Sequence, residues 1–186
     1  IAGNHDISFE SERMFREKGM YFDGAMYDNE PVDGKPEWLD TLLTTGLGPN
    51  TFYLENSFVE IDQIKIWGSP ITPNFGYGWA FNKARGNDIN EVWNKIPNDT
   101  DIVITHGPIY GYCDRAANTN QNVGCADLYH RMHEVKPHLH FTGHIHEGYG
   151  YKVMPYKLCE FTYDDEFLSK RFYSIKMHKE VLIEYQ

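Results

Sequence analysis

The sequence has few cysteines and no long apolar segment, and each scarcity excludes a class of protein. Its three cysteines, Cys113, Cys125 and Cys159, are too few and too unevenly spaced for a disulfide framework or a paired-cysteine zinc site. No apolar stretch approaches the ~20 residues of a membrane-spanning helix, and the first residues show no signal-peptide pattern. We therefore expect reduced thiols, no membrane partner and a cytoplasmic location.

Positive charge is also scarce. The sequence holds 17 Lys and Arg residues against 27 Asp and Glu, for a formal net charge of −10 with histidine neutral. Because no run of Lys and Arg offsets this charge, binding to a nucleic-acid backbone is not expected. A phosphorylated substrate would need a local positive centre, and bound divalent cations are able to supply one.

The rest of the composition is that of a folded protein. With 186 residues, of which 41% are hydrophobic, the chain is long enough for one compact domain and short for two. Its first residues, Ile1 and Ala2, form an apolar pair that is typical of the end of a buried strand. Because a strand needs neighbours, we expect an N-terminal part of the domain to lie upstream of this numbering.

Hydrophobic spacing and turn-forming residues divide the chain into elements. The predicted order is a helix over 8–18, a loop over 27–35, a short helix over 36–43, a β-hairpin of strands 51–61 and 63–67, an ordered loop over 70–86, a helix over 88–96, a strand over 101–105, a helix over 125–135 and a strand over 138–142. Asp88 and Glu91 have capping-box spacing, and Pro97 ends that helix. Strand, polar loop and helix recur in this order, which predicts an α/β fold with functional groups at the carboxyl ends of strands.

Three polar clusters occur at such strand ends. They are Gly3-Asn4-His5-Asp6, Thr105-His106-Gly107-Pro108 and Gly143-His144-Ile145-His146. Taken alone, each has an ordinary structural interpretation, because a histidine after a strand is more often packed or solvated than bound to metal. Taken together, imidazoles and an amide oxygen from separate strand ends, with glycines that allow sharp turns, are what a divalent metal site requires. The combination favours a metal site.

These clusters, in this order, resemble the motifs of the calcineurin-like metallophosphoesterase superfamily. Further segments resemble its metallophosphoesterase domain-containing (MPPED) subgroup: Tyr53-Leu54-Glu55, Gly68-Ser69-Pro70, Tyr77-Gly78-Trp79, Val123-Gly124-Cys125 and Glu147-Gly148-Tyr149-Gly150. The likeness covers 1–150, which we interpret as the C-terminal portion of a metallophosphoesterase domain. It implies a β-sandwich flanked by helices, in an α/β/β/α arrangement.

The resemblance also implies roles for individual residues. Asn4, His106 and His144 would bind one divalent metal, and His146 would bind a second; Mn, Fe, Zn and Mg all remain open. A hydroxide that bridges the metals would attack phosphorus, because two cations ~3.5–4 Å apart lower the pKa of a bridging water. His5 would assist the leaving oxygen, and Asp6 would orient His5.

Two departures from the family pattern bear on activity. The family's upstream Asp-x-His and Gly-Asp motifs occur nowhere in these 186 residues. Since those motifs supply the remaining metal ligands, we predict that the polypeptide as numbered binds metal weakly at one site and is inactive alone. The segment 151–186 does not resemble the turn and closing strands that usually end the family's domain. A divergent tail, an alternative exon and a gene-model artefact are all open interpretations.

The aromatic loop over 70–86 suggests substrate contacts. Tyr77, Trp79 and Arg85, together with Phe75, are candidates for lining the mouth of the site and stacking a nucleobase. An ordered loop packed on the sheet is an equally good interpretation. His138 and His140 alternate with apolar neighbours, so we expect them to be strand residues with structural partners.

The leading functional prediction is hydrolysis of small-molecule phosphate esters, with phosphodiesters favoured by the resemblance. The alternative is a non-catalytic metallophosphoesterase-like interaction module or inactive fragment, in which the fold survives without the chemistry. The presence of His5, Asp6, His144 and His146 favours the enzyme. The oligomeric state is not predicted.

Overall fold

A computed structural model describes residues 1–6, 9–10, 41, 48–76, 78–154, 161–162 and 174–175. The strands are β1 (Ser57–Ile61), β2 (Ile64–Ser69), β3 (Thr72–Pro73), β4 (Asn82–Lys83), β5 (Ile102–Thr105), β6 (Arg115–Ala116), β7 (Gln121–Asn122), β8 (Leu139–Thr142), β9 (Phe161–Thr162) and β10 (Ser174–Ile175). The helices are α1 (Asn87–Trp93) and α2 (Ala126–Val135), and a 3₁₀ turn covers His146–Gly148. The elements expected over 8–18, 27–35 and 36–43 lie almost wholly outside the described residues, as does Cys159.

The main sheet has four strands in the order β1-β2-β5-β8. β1 and β2 form the predicted antiparallel hairpin, in which Ile61 pairs with Ile64 across a turn at Asp62 and Gln63. Both turn residues have positive φ, 50° and 67°, as the favoured two-residue hairpin turn requires. β5 runs parallel to both β2 and β8, so the carboxyl ends of these three strands lie at one edge. The predicted α/β class is confirmed.

Helix α1 begins differently from the prediction. Its N-cap is Gly86, with a φ of 83° and no side-chain capping bond, so the capping box of Asp88 and Glu91 is wrong. Asp88 instead lies within the first turn. The start is held by the buried Asp127 carboxylate of α2, which accepts hydrogen bonds from the Gly86 backbone N–H and the Asn90 amide, both at 3.2 Å. A tertiary contact therefore sets this boundary.

Helix α2 confirms the segment predicted over 125–135. Cys125 is its N-cap, with the sulfur accepting a hydrogen bond from the Leu128 N–H at 3.4 Å. Lys136 ends it in the left-handed conformation, with a φ of 54°. Cys125 and Cys113 are both free thiols.

The core lies between one face of the sheet and the two helices. Trp67 and Val103 are fully buried on that face, and the Trp67 ring meets Trp93 of α1 edge to face at 6.2 Å. Ile89, Val92, Trp93 and Ile96 are all buried, as their predicted shared helical face requires. Each such side chain contributes roughly 1.5–3 kcal/mol on burial. These helices therefore hold the strands β5 and β8, which end at the second and third polar clusters.

The opposite face of the sheet is apolar and open. By strand register it carries Val59, Ile61, Ile64, Ile66, Ile102, Ile104, Leu139 and Phe141. Leu139 is 51% exposed and Phe141 is 54% exposed. A continuous apolar face is what the second sheet of an α/β/β/α sandwich covers. Within the described ranges, no helix is both long and apolar enough to cross a membrane.

Candidate metal centre

The turn after β5 is anchored to its neighbours through the backbone of His106. The His106 N–H donates to the Ser69 carbonyl at the end of β2, at 3.1 Å. The His106 carbonyl accepts a hydrogen bond from the Gly143 N–H, just after β8, at 3.0 Å. Because β2, β5 and β8 are parallel, these bonds hold the second and third polar clusters at one sheet edge.

Three potential metal donors meet at this edge. The Oδ1 atom of Asn4 lies 2.7 Å from Nε2 of His106 and 3.1 Å from Nδ1 of His144. The two imidazole rings have their centroids 4.8 Å apart. Asn4 is buried, with only 6% of its surface exposed. An amide oxygen and two ring nitrogens from three distant segments therefore converge on one point.

Electrostatics keep these imidazoles neutral at physiological pH. Burial, with the nearby charges of His144, His5 and His146, lowers the pKa of His106 to about 4, although Asp6 opposes the shift. Burial also lowers the pKa of His144, assisted by His146 and His5. Metal ligation requires the neutral imidazole, so neither ring has to lose a proton at pH 7 before it binds an ion.

A glycine allows the first cluster to approach His106. A Cβ atom placed on Gly3 would lie 2.7 Å from Cε1 and 2.9 Å from Nδ1 of the His106 ring. The Asp6 carboxylate closes the same turn by accepting a hydrogen bond from the Gly3 N–H at 2.6 Å. Asp6 thus stabilises the turn that carries Asn4. Among the described contacts, none of its hydrogen bonds goes to the His5 ring.

His5 and His146 lie at the exposed margin of the centre. The His5 ring meets Trp79 edge to face at 4.7 Å. His146 is exposed in the 3₁₀ turn, and its charge acts on both His106 and His144. The structure therefore gathers all the ligands expected from the sequence into one region, with three of them in direct contact.

Aromatic rings flank the centre. The sequence suggested that their loop lines the mouth of the site but did not predict which rings are in contact. Phe75 lies 4.7 Å from the His144 ring and stacks on Trp79 at 5.9 Å with an interplanar angle of 24°. The Asn82 side chain holds this loop, donating to the Trp79 and Ala80 carbonyls and accepting from the Phe75 N–H. Tyr77 lies outside the described residues.

The Arg85 guanidinium is bound by two backbone carbonyls. It donates to Val123 and Gly124, both at 2.8 Å. These bonds connect the start of α1 to the segment that precedes α2. Its expected role in substrate binding stays a prediction.

The donor set fits a divalent metal, although it is incomplete as a cage. An amide oxygen and neutral imidazoles are normal ligands of first-row divalent ions. No group of three His, Cys, Asp or Glu side chains in the described part of the chain could hold an ion without other donors. The third donor here is instead the oxygen of Asn4. An anionic ligand is what a tight binuclear site would add.

Comparison with known proteins agrees with this geometry. The family model described as Calcineurin-like phosphoesterase matches residues 1–148. The human and mouse proteins named Metallophosphoesterase domain-containing protein 1 are each 41% identical over 153 residues, covering 81% of this chain and 44% of theirs. A Caenorhabditis elegans UPF0046 protein is 35% identical over 156 residues, covering 81% of this chain and 38% of its own.

The chain therefore spans less than half the length of these curated relatives. The matched residues contain every strand of the main sheet and all three polar clusters. Both the family model and the relatives agree with the resemblance that the motifs indicated. The chain belongs to the calcineurin-like phosphoesterase family, and its relatives include metallophosphoesterase domain-containing proteins.

Proposed function

We propose that this chain is the portion of a metal-dependent hydrolase that carries part of a binuclear metal site, and that the enzyme cleaves small-molecule phosphodiesters. The observation that supports this proposal most strongly is the meeting of Asn4 Oδ1 with His106 Nε2 and His144 Nδ1. An amide oxygen and two ring nitrogens that meet at one point are a donor set suited to a first-row divalent ion. Family membership supplies the general chemistry, which is phosphoester hydrolysis with divalent metals.

Asn4, His106 and His144 would hold one divalent ion in this proposal, and His146 would contribute to a second. Mn, Fe, Zn and Mg are all compatible with these oxygen and nitrogen donors. When bound, the ions supply a Lewis acid that activates water and neutralises charge on the phosphoryl group. The chain itself supplies the preformed neutral donors, and with a net charge of −10 it has no excess of cations to replace them.

His5 is proposed to protonate the leaving oxygen. Its ring is exposed next to the donor cluster and rests against the edge of Trp79, so it is open to a bound ester. Asp6 is proposed to keep His5 in position. The structure supports an indirect route, in which the carboxylate stabilises the backbone turn that carries both His5 and Asn4.

The flanking aromatic rings favour a substrate with a planar group. Phe75 is 43% exposed, and its ring lies between His144 and Trp79. A nucleobase or an aryl leaving group would stack on this surface while the phosphate reaches the metals. We retain Tyr77, Trp79 and Arg85 as proposed substrate contacts, and we place the reaction in the cytoplasm because the described cysteines are free thiols.

A non-catalytic interaction module is the second candidate, and a specific observation favours it. The donors in direct contact are all neutral, and the upstream Asp-x-His and Gly-Asp motifs are not among the 186 residues. Hard divalent ions bind neutral ligands weakly. We therefore propose that this chain alone binds metal at one weak site and turns over little substrate.

Substitution of His5 and His144 to alanine, in the longer protein to which this chain is proposed to belong, tests the enzymatic proposal. Loss of His144 should lower both the metal content and the rate, because it is a ligand. Loss of His5 should leave metal content near normal and slow an alkyl ester more than a nitrophenyl ester, which needs little protonation to leave. His138→Ala, on an exposed side chain, is the matched control. Normal metal content in His144→Ala would rule out that ligand, and equal losses on both esters would rule out His5 as the acid.

A further inference from the structure

Another histidine, outside the proposed ligand set, lies on the core face of the sheet. His140 in β8 is beside Val103 of β5 by strand register, with Trp67 on the next strand. This face packs against the helices, and His140 is half-buried there. Its described side-chain hydrogen bond goes to the neighbouring strand β5 and to none of the proposed metal donors.

The neighbour that His140 contacts is the hydroxyl of Thr105. Nε2 of His140 lies 2.7 Å from Thr105 Oγ1, and the Thr105 hydroxyl donates to the Gly107 carbonyl at 2.7 Å. A hydroxyl has one proton, which Gly107 receives, so Oγ1 must accept from His140. The geometry thus assigns the Nε2–H tautomer to His140. It also sets the direction of both hydrogen bonds, from His140 to Thr105 and from Thr105 to Gly107.

These two bonds hold the backbone segment that carries His106. Thr105 precedes His106 and Gly107 follows it, so the bond from the Thr105 hydroxyl to Gly107 closes a small ring around the ligand residue. Thr105 is 1% exposed, and the Gly107 backbone is packed so closely on Thr72 that a Cβ would lie 2.9 Å from its hydroxyl oxygen. The backbone dihedrals of His106 are therefore fixed from inside the core.

We propose that His140 is a positioning residue that holds His106 in its metal-binding orientation through the Thr105 hydroxyl. The inference rests on the proposed function, in which His106 is a metal ligand. Without the His140 N–H, the Thr105 oxygen loses the hydrogen bond that fixes its position, so its own bond to the Gly107 carbonyl is held less firmly. Groups that orient metal ligands from outside the coordination shell typically account for roughly 10- to 100-fold in metal affinity.

The first test uses the wild-type protein and needs no metal. Nitrogen-15 NMR of the imidazole rings at pH 7 reports which nitrogen of His140 carries the proton. The proposal requires protonation at Nε2, with a coupling or nuclear Overhauser contact to Thr105. Protonation at Nδ1 would overturn it.

The second test compares Mn²⁺ affinity by calorimetry among matched variants. His140→Leu and Thr105→Val remove one hydrogen bond donor each and should weaken binding roughly tenfold or more. His140→Gln places an amide N–H near the lost Nε2–H and should restore affinity close to the wild-type value. The double variant should bind no more weakly than the weaker single variant, because both substitutions break one relay. His138 lies two positions before His140, but its side chain is 84% exposed. His138→Gln is therefore the control and should bind Mn²⁺ as the wild type does.

Thermal unfolding of every variant separates positioning from folding. The proposal is overturned if folded His140→Leu binds Mn²⁺ as the wild type does, or if His140→Leu and His140→Gln lose affinity equally. Should His140→Leu fail to fold, Thr105→Val against Thr105→Ser decides in the same way. Wild-type affinity in His106→Ala would instead overturn the proposed metal site, and that outcome is visible without any change at His140.

Discussion

The amide oxygen of Asn4 lies 2.7 Å from Nε2 of His106, although 102 positions separate the two residues. The contact depends on Gly3, whose missing side chain leaves room for the His106 ring, and on the backbone of His106, which bonds to the ends of β2 and β8. A donor pair assembled from distant positions in the sequence is present only in the folded chain. Metal binding should therefore be coupled to folding.

Gly3→Ala should disrupt the centre, whereas Gly143→Ala should not. A Cβ on Gly3 would press on the His106 ring at 2.7 Å, and a displacement on the scale of 1 Å costs on the order of 100-fold in kcat/KM. A Cβ on Gly143 meets nothing closer than the His106 carbonyl oxygen at 3.8 Å. Mn²⁺ affinity of this chain, and steady-state rates of the longer enzyme to which it is proposed to belong, measure both effects. Similar losses in the two variants would contradict the steric explanation.

Helix α1 offers a prediction on stability. Asp127→Ala leaves the Gly86 N–H and the Asn90 amide without their carboxylate and should lower the free energy of unfolding by about 1–3 kcal/mol. Asp88→Ala removes no capping bond and should change it by less than about 0.5 kcal/mol. Urea unfolding measures the two values. If Asp88→Ala lowers the free energy of unfolding more than Asp127→Ala does, Asp88 caps the helix after all.

Short-range patterns predicted much of the fold, and long-range contacts account for the rest. The turn at Asp62 and the buried face of Ile89 and Trp93 depend on residues within one element, so spacing revealed them. The start of α1 depends on Asp127, 41 positions from Gly86, and no local signal indicates that contact. The local sequence pattern therefore predicted Asp88 as the N-cap, whereas the N-cap is Gly86.

The candidate site divides in the same way. Motif resemblance predicted Asn4, His106 and His144 as ligands. His106 and His144 follow the ends of β5 and β8, whereas the strand end predicted at Ile1 and Ala2 is wrong, because residues 1–3 form no strand. The bond between Thr105 and His140 depends on the register of β5 against β8, which a single sequence does not encode locally. The contact of Phe75 with His144 likewise depends on where the aromatic loop folds over the sheet edge.

His140 should make stability depend on pH. Burial lowers its pKa to about 4, against about 6.5 in an unfolded chain. Between these values the unfolded state binds one more proton, so the free energy of unfolding falls as the pH falls, by on the order of 1 kcal/mol per pH unit. The contribution is complete above pH 6.5 and is lost as the pH drops through 4. In His140→Gln, the slope of the free energy of unfolding against pH should decrease by that amount. An unchanged slope would contradict the lowered pKa of His140.

The aromatic rings should distinguish aryl from alkyl substrates. Phe75→Leu and Trp79→Leu each remove a stacking surface worth about 0.5–1.5 kcal/mol. In the longer enzyme to which this chain is proposed to belong, KM for an aryl or nucleoside diester should therefore rise roughly 2- to 12-fold. KM for a dialkyl ester should change less. Phe58→Leu is the control, because Phe58 is also an exposed phenylalanine but lies on β1. A uniform rise across substrates would indicate a structural role for the rings.

The central claim is that Asn4 Oδ1, His106 Nε2 and His144 Nδ1 bind one divalent ion. Anomalous X-ray diffraction from crystals soaked in Zn²⁺, recorded on both sides of the zinc absorption edge, locates the ion directly. The account predicts one peak about 2.0–2.2 Å from all three atoms, and no peak there in His144→Ala. A strong zinc peak elsewhere, with none beside these atoms at saturating Zn²⁺, would contradict it.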